Sequence, residues 1–457
     1  MIRICQLLQN AAEGQQVTVH GWVRSARHVK SCTFLAVTDG STIKTMQIIV
    51  LPELKNYDEV RKLTTGCSVR IEGEFVLSPS PEQPFELRAS SVTVLGGVDA
   101  DYPIQKKVHS LEFLRTVPHL RLRTATFSSV MRLRNAASHA IHDFFRERGF
   151  IQLHTPIITT SDCEGSGAMF QVTTLPLTNI LKTKDSEIDY NADFFGKAAY
   201  LTVSGQLEAE SGAAALGSVY TFGPTFRAEN SNTTRHLSEF WMVEPEIAFC
   251  DLAELMNLAE SFVKHLVKSV LSTIPDDMAF FDSHIEQGLI KRLENVIQHD
   301  FGRITYTEAI KFLQESNKTF DLKPEWGFDL QSEHERYLTE EVFKKPLIVT
   351  DYPKTIKPFY MYQNDDDKTV RAMDILTPRV GEIIGGSQRE DRLNHLLKRM
   401  EEFGLDAEAY SWYIDLRRYG SVPHSGFGLG FERIIQFLSG MLNIRDCIPF
   451  PRFPRGA

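Results

Sequence analysis

The sequence predicts an α+β protein: a small N-terminal β-barrel, then a larger domain in which helices flank an antiparallel sheet. Three observations carry that reading. Residues 1–98 are a succession of short alternating strands broken by Gly, Asp and Pro. Between residues 219 and 243, two aromatic, alternating stretches flank a polar loop running from Asn230 to Arg235. Near the C-terminus, Gly426, Gly428 and Gly430 take every second position of a strand-like run that leads into an apolar helix.

A chain of 457 residues predicts two or three domains. Its 42% hydrophobic and 24% charged residues are those of an ordinary globular protein. The net charge of −9 argues against a purely electrostatic nucleic-acid coat but leaves room for a local basic face. Six scattered cysteines without a Cys-x-x-Cys predict neither a zinc site nor a disulfide framework. The opening Met1-Ile2-Arg3-Ile4-Cys5-Gln6 lacks the apolar core of a secretory leader, and no apolar run approaches the roughly 20 residues that span a bilayer. The expected setting is therefore a reducing cytoplasm, with no membrane partner.

In the first domain the spacing predicts strands over 17–23, 33–40, 46–50, 68–76 and 85–89, with one helix-like interruption over 56–64. Five strands and one helix make a small OB-type barrel over 1–98. Residues 99–118 follow as a basic hinge containing Lys106, Lys107 and His109, either a solvated linker or a nucleic-acid contact. The larger domain, 119–457, opens with a helix on which Val130, Leu133, Ala137, Ile141, Phe144 and Phe145 recur at helical spacing. That helix stops at Gly149, before the strand-like Phe150-Ile151-Gln152-Leu153-His154-Thr155-Pro156. Residues 251–341 read as a mostly helical insertion, carried by Leu252, Leu255, Leu258, Phe262 and Leu266.

The chemistry gathers in three stretches. In Thr225-Phe226-Arg227-Ala228-Glu229-Asn230, Arg227 ends the first aromatic strand and faces whatever the sheet holds. In Gly430-Phe431-Glu432-Arg433, a second arginine opens the helix after the glycine strand. Guanidinium groups suit phosphate and carboxylate because they bind oxygens in pairs and keep their proton. A dinucleotide fingerprint is excluded there, since it needs Gly-x-Gly-x-x-Gly early in a βαβ unit. Alternating glycines instead clear one face of a strand, so that a flat ligand can lie on the backbone. The third stretch contains Asp374 and, after it, Gly381-Glu382-Ile383-Ile384-Gly385-Gly386-Ser387-Gln388-Arg389; the carboxylates of Asp374 and Glu382 could share a hydrated Mg²⁺.

Together these stretches resemble the three signature motifs of the class II aminoacyl-tRNA synthetases. The helix–Gly–strand–Pro stretch resembles the first motif, the Arg227 hairpin the second and the glycine strand the third. Gly21-Trp22-Val23-Arg24 resembles the start of the anticodon-binding OB domain of the aspartyl/asparaginyl/lysyl subgroup. The resemblance implies a class II catalytic domain that consumes ATP, and a homodimer formed through the first-motif region. It implies that Arg227 grips the ATP α-phosphate and the amino-acid carboxylate together, Arg433 the γ-phosphate, and Phe240 the adenine face. Glu229, Arg235, His236, Leu237, Glu382, Gly430, Phe431 and Glu432 would complete the ATP site. Glu164 and Glu244 fall where the family meets the substrate α-amino group, and Arg389 where it reaches the side chain. Phe34, Gln47 and Arg27 fall where the family reads the anticodon.

Which amino acid is implied depends on Val203-Ser204-Gly205-Gln206-Leu207-Glu208-Ala209-Glu210. Aspartyl enzymes carry a lysine where this chain has Ala209, paired there with the substrate carboxylate. Losing a cation and gaining Glu210 is wrong for aspartate and suits the neutral amide of asparagine. The amino-acid site would comprise Glu164, Ser204, Gln206, Glu210, Arg227, Glu244 and Arg389, with L-asparagine, ATP and tRNA(Asn) as partners. Aspartate, alone or beside asparagine, is the alternative. Glu210 either accepts from the amide N–H₂ or acts on the site's electrostatics from behind.

Overall fold

The computed structural model describes residues 2–79, 83–163 and 169–456. The chain divides into two compact units, Met1–Asn135 with Ile274–Phe280, and Ala136–Thr273 with Phe281–Ala457. Among the described residues, no helix is long and apolar enough to cross a membrane.

The first unit holds the expected barrel. A short helix, α1 (Ile4–Asn10), precedes β1 (Gln16–His28), β2 (Thr33–Thr38), β3 (Met46–Val50), β4 (Ser68–Leu77) and β5 (Phe85–Gly96). The strands close in the order β1-β2-β3-β5-β4. Alternate residues Leu35, Val37, Met46, Ile48, Val50, Val69 and Ile71 fill the interior. The helix-like interruption shrinks to one turn, Tyr57–Val60. α1 went unforeseen; its Ile4 and Leu7 are buried with the barrel core. The hinge is more than a solvated linker: Ile104, Leu114 and Phe127 form a small core with Tyr102, Leu111, Val117, Leu120 and Leu122, while Lys106 and Lys107 stay exposed.

The second unit is built on an eight-stranded sheet. Its strands are β6 (Ile151–Gln152), β10 (Ser218–Phe226), β11 (Glu239–Ala248), β12 (Gly302–Thr305), β13 (Leu347–Pro353), β14 (Thr369–Thr377), β15 (Gly381–Gln388) and β16 (His424–Gly430). A separate three-stranded sheet holds β7 (Ile158–Thr159), β8 (Gln171–Val172) and β9 (Ala199–Leu201). The large sheet runs β12-β13-β14-β15-β16-β11-β10-β6, antiparallel through its middle and parallel at its two outer pairs. The six apolar positions read from residues 127–148 are all buried on α2 (Ala125–Glu147). On that helix Phe145 stacks on Tyr220 of β10, their ring centroids 4.5 Å apart. α3 (Gln206–Leu216) leads into β10, and α4 (Leu252–Thr273) buries Leu255, Phe262, Val263 and Leu266. The stretch read as a helical insertion holds α4 and further helices, and β12 within it joins the main sheet beside β13.

Candidate active site

One face of β11 lays out the site. Side chains two apart on a strand share a face, so Phe240, Met242, Glu244 and Glu246 project together over roughly 20 Å. All four line cavities on that face. The first cavity is bordered by Arg227, Glu229, Arg235, His236, Leu237, Phe240, Glu382, Gly430, Glu432 and Arg433. The second, about 640 Å³, is bordered by Ser204, Gln206, Arg227, Glu244, Glu246, Asp374, Glu382 and Arg389, among others. Arg227 and Glu382 line both. Residues quoted from four separate stretches of sequence thus converge on one continuous groove.

The arginines are placed by secondary structure. β10 ends at Phe226, and the Arg227 N–H donates to the Ser238 carbonyl at 3.0 Å, closing the loop between β10 and β11. The Arg227 guanidinium lies 5.4 Å from the centre of the Phe240 ring. Arg433 sits on α6 (Phe431–Ser439), the helix that β16 feeds. Its Nη1 donates to the Glu382 backbone carbonyl at 3.2 Å and lies 3.6 Å from that residue's carboxylate. Burial would raise the Glu382 carboxyl, but Arg433, Lys357, Arg235 and Arg227 outweigh it and hold it below the ordinary range. Burial, together with Arg433, Arg235 and Arg227 and against Glu229, pushes the His236 imidazole below its ordinary range.

The carboxylate pair is real but not isolated. A Cβ on Gly385 would lie 3.2 Å from a Glu382 oxygen and 3.5 Å from an Asp374 oxygen, so both groups face one small space. Lys357, absent from the sequence reading, donates to Asp374 at 2.7 Å. Among the described residues no group of three His, Cys, Asp or Glu side chains could hold a metal alone.

At the far end of the groove lies a buried charge network. Arg389 binds Glu246 through Nη2 and through Nε at 3.2 Å, and its Nε lies 3.9 Å from Glu210. Burial pushes the Glu246 carboxyl up to about 7, against Arg389 and with Glu210 adding to the push. Glu246 faces Gly426 across the β11–β16 pair, and a Cβ on Gly426 would fall 2.1 Å from the carboxylate. That corrects the role given to the alternating glycines. Gly428 and Gly430 do line the groove, but Gly426 makes room for a protein carboxylate and not for a ligand.

Three further corrections follow. Glu210 does not border the cavity. It is fully buried behind the wall, where its oxygens accept from Gln206 Nε2 (3.0 Å), the Tyr413 hydroxyl (2.9 Å) and Arg417 (2.7 Å), and meet His424 Nε2 (2.9 Å). Burial opposes its charge, but Arg417, His424 and Arg389 keep the carboxyl well below the usual range. Of the two roles open to Glu210, this geometry favours the electrostatic one. The Phe431 ring is also turned away from the groove and packs edge-on against Phe222, centroids 5.1 Å apart. Glu432 borders the groove, yet its carboxylate accepts the Trp241 N–H at 2.9 Å, tying α6 to β11. Glu164 lies outside the described residues.

Glu244 is satisfied from three sides. Ser204 Oγ, the Gly205 N–H (3.0 Å) and Thr221 Oγ1 (2.9 Å) all donate to it, leaving an acceptor-rich wall between Arg227 and Glu246.

On the barrel, Arg27 and Phe34 are partners across β1 and β2, with the guanidinium 4.8 Å above the ring. Gln47, on β3, faces Ala36 of β2 and donates to Glu86 at 2.7 Å. Phe34 and Gln47 alternate with the core residues, so both point outward with Arg27.

Residues 110–454 match the family described as class II tRNA synthetases (D, K and N), and residues 17–95 match the OB-fold nucleic acid binding domain. An asparagine–tRNA ligase of Microcystis aeruginosa is 57% identical, covering 100% of this chain and 99% of its own. One from Clostridium tetani is 57% identical over 97% and 96%. The solved asparaginyl-tRNA synthetase of Pyrococcus horikoshii, complexed with asparaginyl-adenylate, superposes with a TM-score of 0.87 at 34% identity, covering 100% of this chain and 99% of its own.

Proposed function

The chain belongs to the class II tRNA synthetases of the aspartate, lysine and asparagine group, and from that premise we propose that it joins L-asparagine to tRNA(Asn) at the expense of ATP. The observation that carries this reading is the Arg389–Glu246 pair at the end of the groove, a donor beside an acceptor. A carboxamide offers the complement, a carbonyl for Arg389 and an N–H₂ for Glu246. A second carboxylate in that place would meet Glu246 and, behind it, Glu210 as like charges.

The order of residues along the groove supports a part for each of them in the reaction. Phe240 offers a stacking face for adenine beside Glu229, His236, Leu237 and Gly430. Arg227, lining both cavities, holds the α-phosphate and the amino-acid carboxylate together, with Arg235 and Arg433 toward the β- and γ-phosphates. Glu244, with Ser204 and Gln206 beside it, offers its oxygens to the α-amino cation. In the first step an asparagine carboxylate oxygen forms a bond to the α-phosphorus while the bond to the bridging α–β oxygen breaks, releasing pyrophosphate. The nucleophile is already ionised, so positioning and charge neutralisation do the work and no general base is needed. In the second step the terminal ribose hydroxyl of the tRNA attacks the activated carbonyl and AMP leaves. Glu382 and Asp374 fit Mg²⁺ as two oxygen ligands facing one space, the remainder coming from phosphate and water. Such an ion would offset charge on the leaving pyrophosphate.

ATP–pyrophosphate exchange across all twenty amino acids tests the assignment: asparagine should drive exchange, and exchange driven by aspartate instead would overturn it. The outer face of the barrel carries the anticodon reading. Because stacking on an aromatic ring contributes about 1–3 kcal/mol per base, Phe34→Ala should lower tRNA charging roughly tenfold or more while pyrophosphate exchange stays unchanged. Equal charging by the variant would remove Phe34 from that role. A homodimer through the first-motif region is supported by β6 at the sheet edge and by the exposed Ile151, Ile157 and Ile158; sedimentation velocity reads it directly. A cytoplasmic setting accords with all six cysteines being free, and cell fractionation tests it.

A further inference from the structure

The loop between β10 and β11 delivers Arg235 to the first cavity. The partner comes from far away in the chain. α5 (Ser332–Arg336) and the π-helical turn after it, Tyr337–Val342, bring Glu335 to the same wall. Arg235 Nη1 donates to Glu335 Oε2 at 3.1 Å and also to Ser332 Oγ. The Glu335 side chain is only 8% exposed and that of Arg235 21%, so the pair is shielded from water and from screening salt.

Two details indicate that the pair is built for this place. At Gly381 the backbone takes φ +82°, and a Cβ there would lie 2.2 Å from Glu335 Oε2 and 2.9 Å from Arg235 Nη2. Only glycine leaves room for the ion pair at that point, one residue before Glu382. The turn between β14 and β15 is also tied to the π-helical segment, where the Arg379 N–H donates to Glu340 at 2.7 Å. π-helical turns are found frequently at functional sites. A buried carboxylate with no cation would be costly. Burial does push the Glu335 carboxyl up to about 7, with Arg235 opposing.

We propose that Glu335 is a positioning residue for the nucleotide: with Ser332 it clamps the Arg235 guanidinium against the wall of the phosphate cavity before ATP arrives. A flexible arginine would have to be ordered by ATP itself, at a cost in affinity; a clamped one is ordered in advance. The inference rests on reading Arg235 as an ATP contact.

A double-mutant cycle in pyrophosphate exchange tests it. Glu335→Gln keeps the shape and removes the charge. It should raise KM for ATP about tenfold, as expected for losing one charge-assisted hydrogen bond, with KM for asparagine unchanged. In an Arg235→Ala background the same substitution should have no further effect on KM for ATP, and Glu335→Asp should fall between wild type and Glu335→Gln. Should Glu335→Gln fail to fold, Ser332→Ala removes the second anchor and gives the same reading in smaller measure. If Arg235→Ala raises KM for ATP and folded Glu335→Gln does not, or if Glu335→Gln acts equally in both backgrounds, Glu335 is not the clamp. If Arg235→Ala itself leaves KM for ATP unchanged, the ATP role of Arg235 fails, and the clamp with it.

Discussion

Arg389→Leu should abolish asparagine activation, lowering kcat/KM for asparagine in pyrophosphate exchange by at least about 10³-fold, because a site built to hydrogen-bond a polar side chain loses most when one partner goes. The same variant should lose about 3–5 kcal/mol of stability, the usual cost of leaving one half of a buried ion pair unpaired. Glu246 would be that half: it is wholly buried and bound by Arg389, with Glu210 nearby as a like charge. Inactivity alone would therefore prove little. The double variant Arg389→Leu with Glu246→Leu separates the two effects. Replacing both ions by apolar residues of similar size is often neutral or stabilising, so the double variant should recover most of the melting temperature and none of the activity. Glu210 would keep Arg417, His424 and Tyr413 in either case, so the rest of the network should stand. If activity returned with stability, Arg389 and Glu246 would be scaffolding, and asparagine would be read elsewhere.

This network also marks where the sequence stops being legible. Local signals carried far: period-two alternation located the barrel strands and the β10–β11 hairpin, and glycine punctuation located β16 and the helix it feeds. Arg227, Glu382, Arg389 and Arg433 could be picked out because each stands at the end or start of a recognisable element. Glu246 was missed, though it lies two residues beyond Glu244, and a signal was present: Phe240, Met242 and Glu244 step along one strand face, and Glu246 is the next step. Its importance, however, depends on the register that sets it opposite Gly426, and cross-strand register is not written in either strand alone. Distance in sequence hid the rest. Glu210 is held by Arg417, 207 residues away, and Arg235 by Glu335, 100 residues away. Lys357 reaches Asp374 from outside any helix or strand. β12 escaped because four residues are too few to show a period.

Arg227→Ala should be the most damaging single change at the nucleotide end, lowering kcat/KM for ATP and for asparagine alike by about 10²–10³-fold, the range for removing one preorganised donor from developing negative charge. The shared loss is the informative part. Arg227 borders both cavities, and its guanidinium lies against the Phe240 ring where adenine would stack. A single planar cation with five donors can hold a phosphate oxygen and a carboxylate oxygen at once, and so fix the angle at which they meet. Arg227→Lys should therefore recover little, since an ammonium restores the charge as a point and not the two-sided geometry. Arg433→Ala should weaken ATP alone, because Arg433 borders only the first cavity and binds Glu382 beside it. Full kinetics in both substrates distinguish the two arginines. Should Arg227→Ala raise KM for ATP and leave asparagine untouched, Arg227 would be one more phosphate ligand, and the two substrates would have to be aligned by some other group.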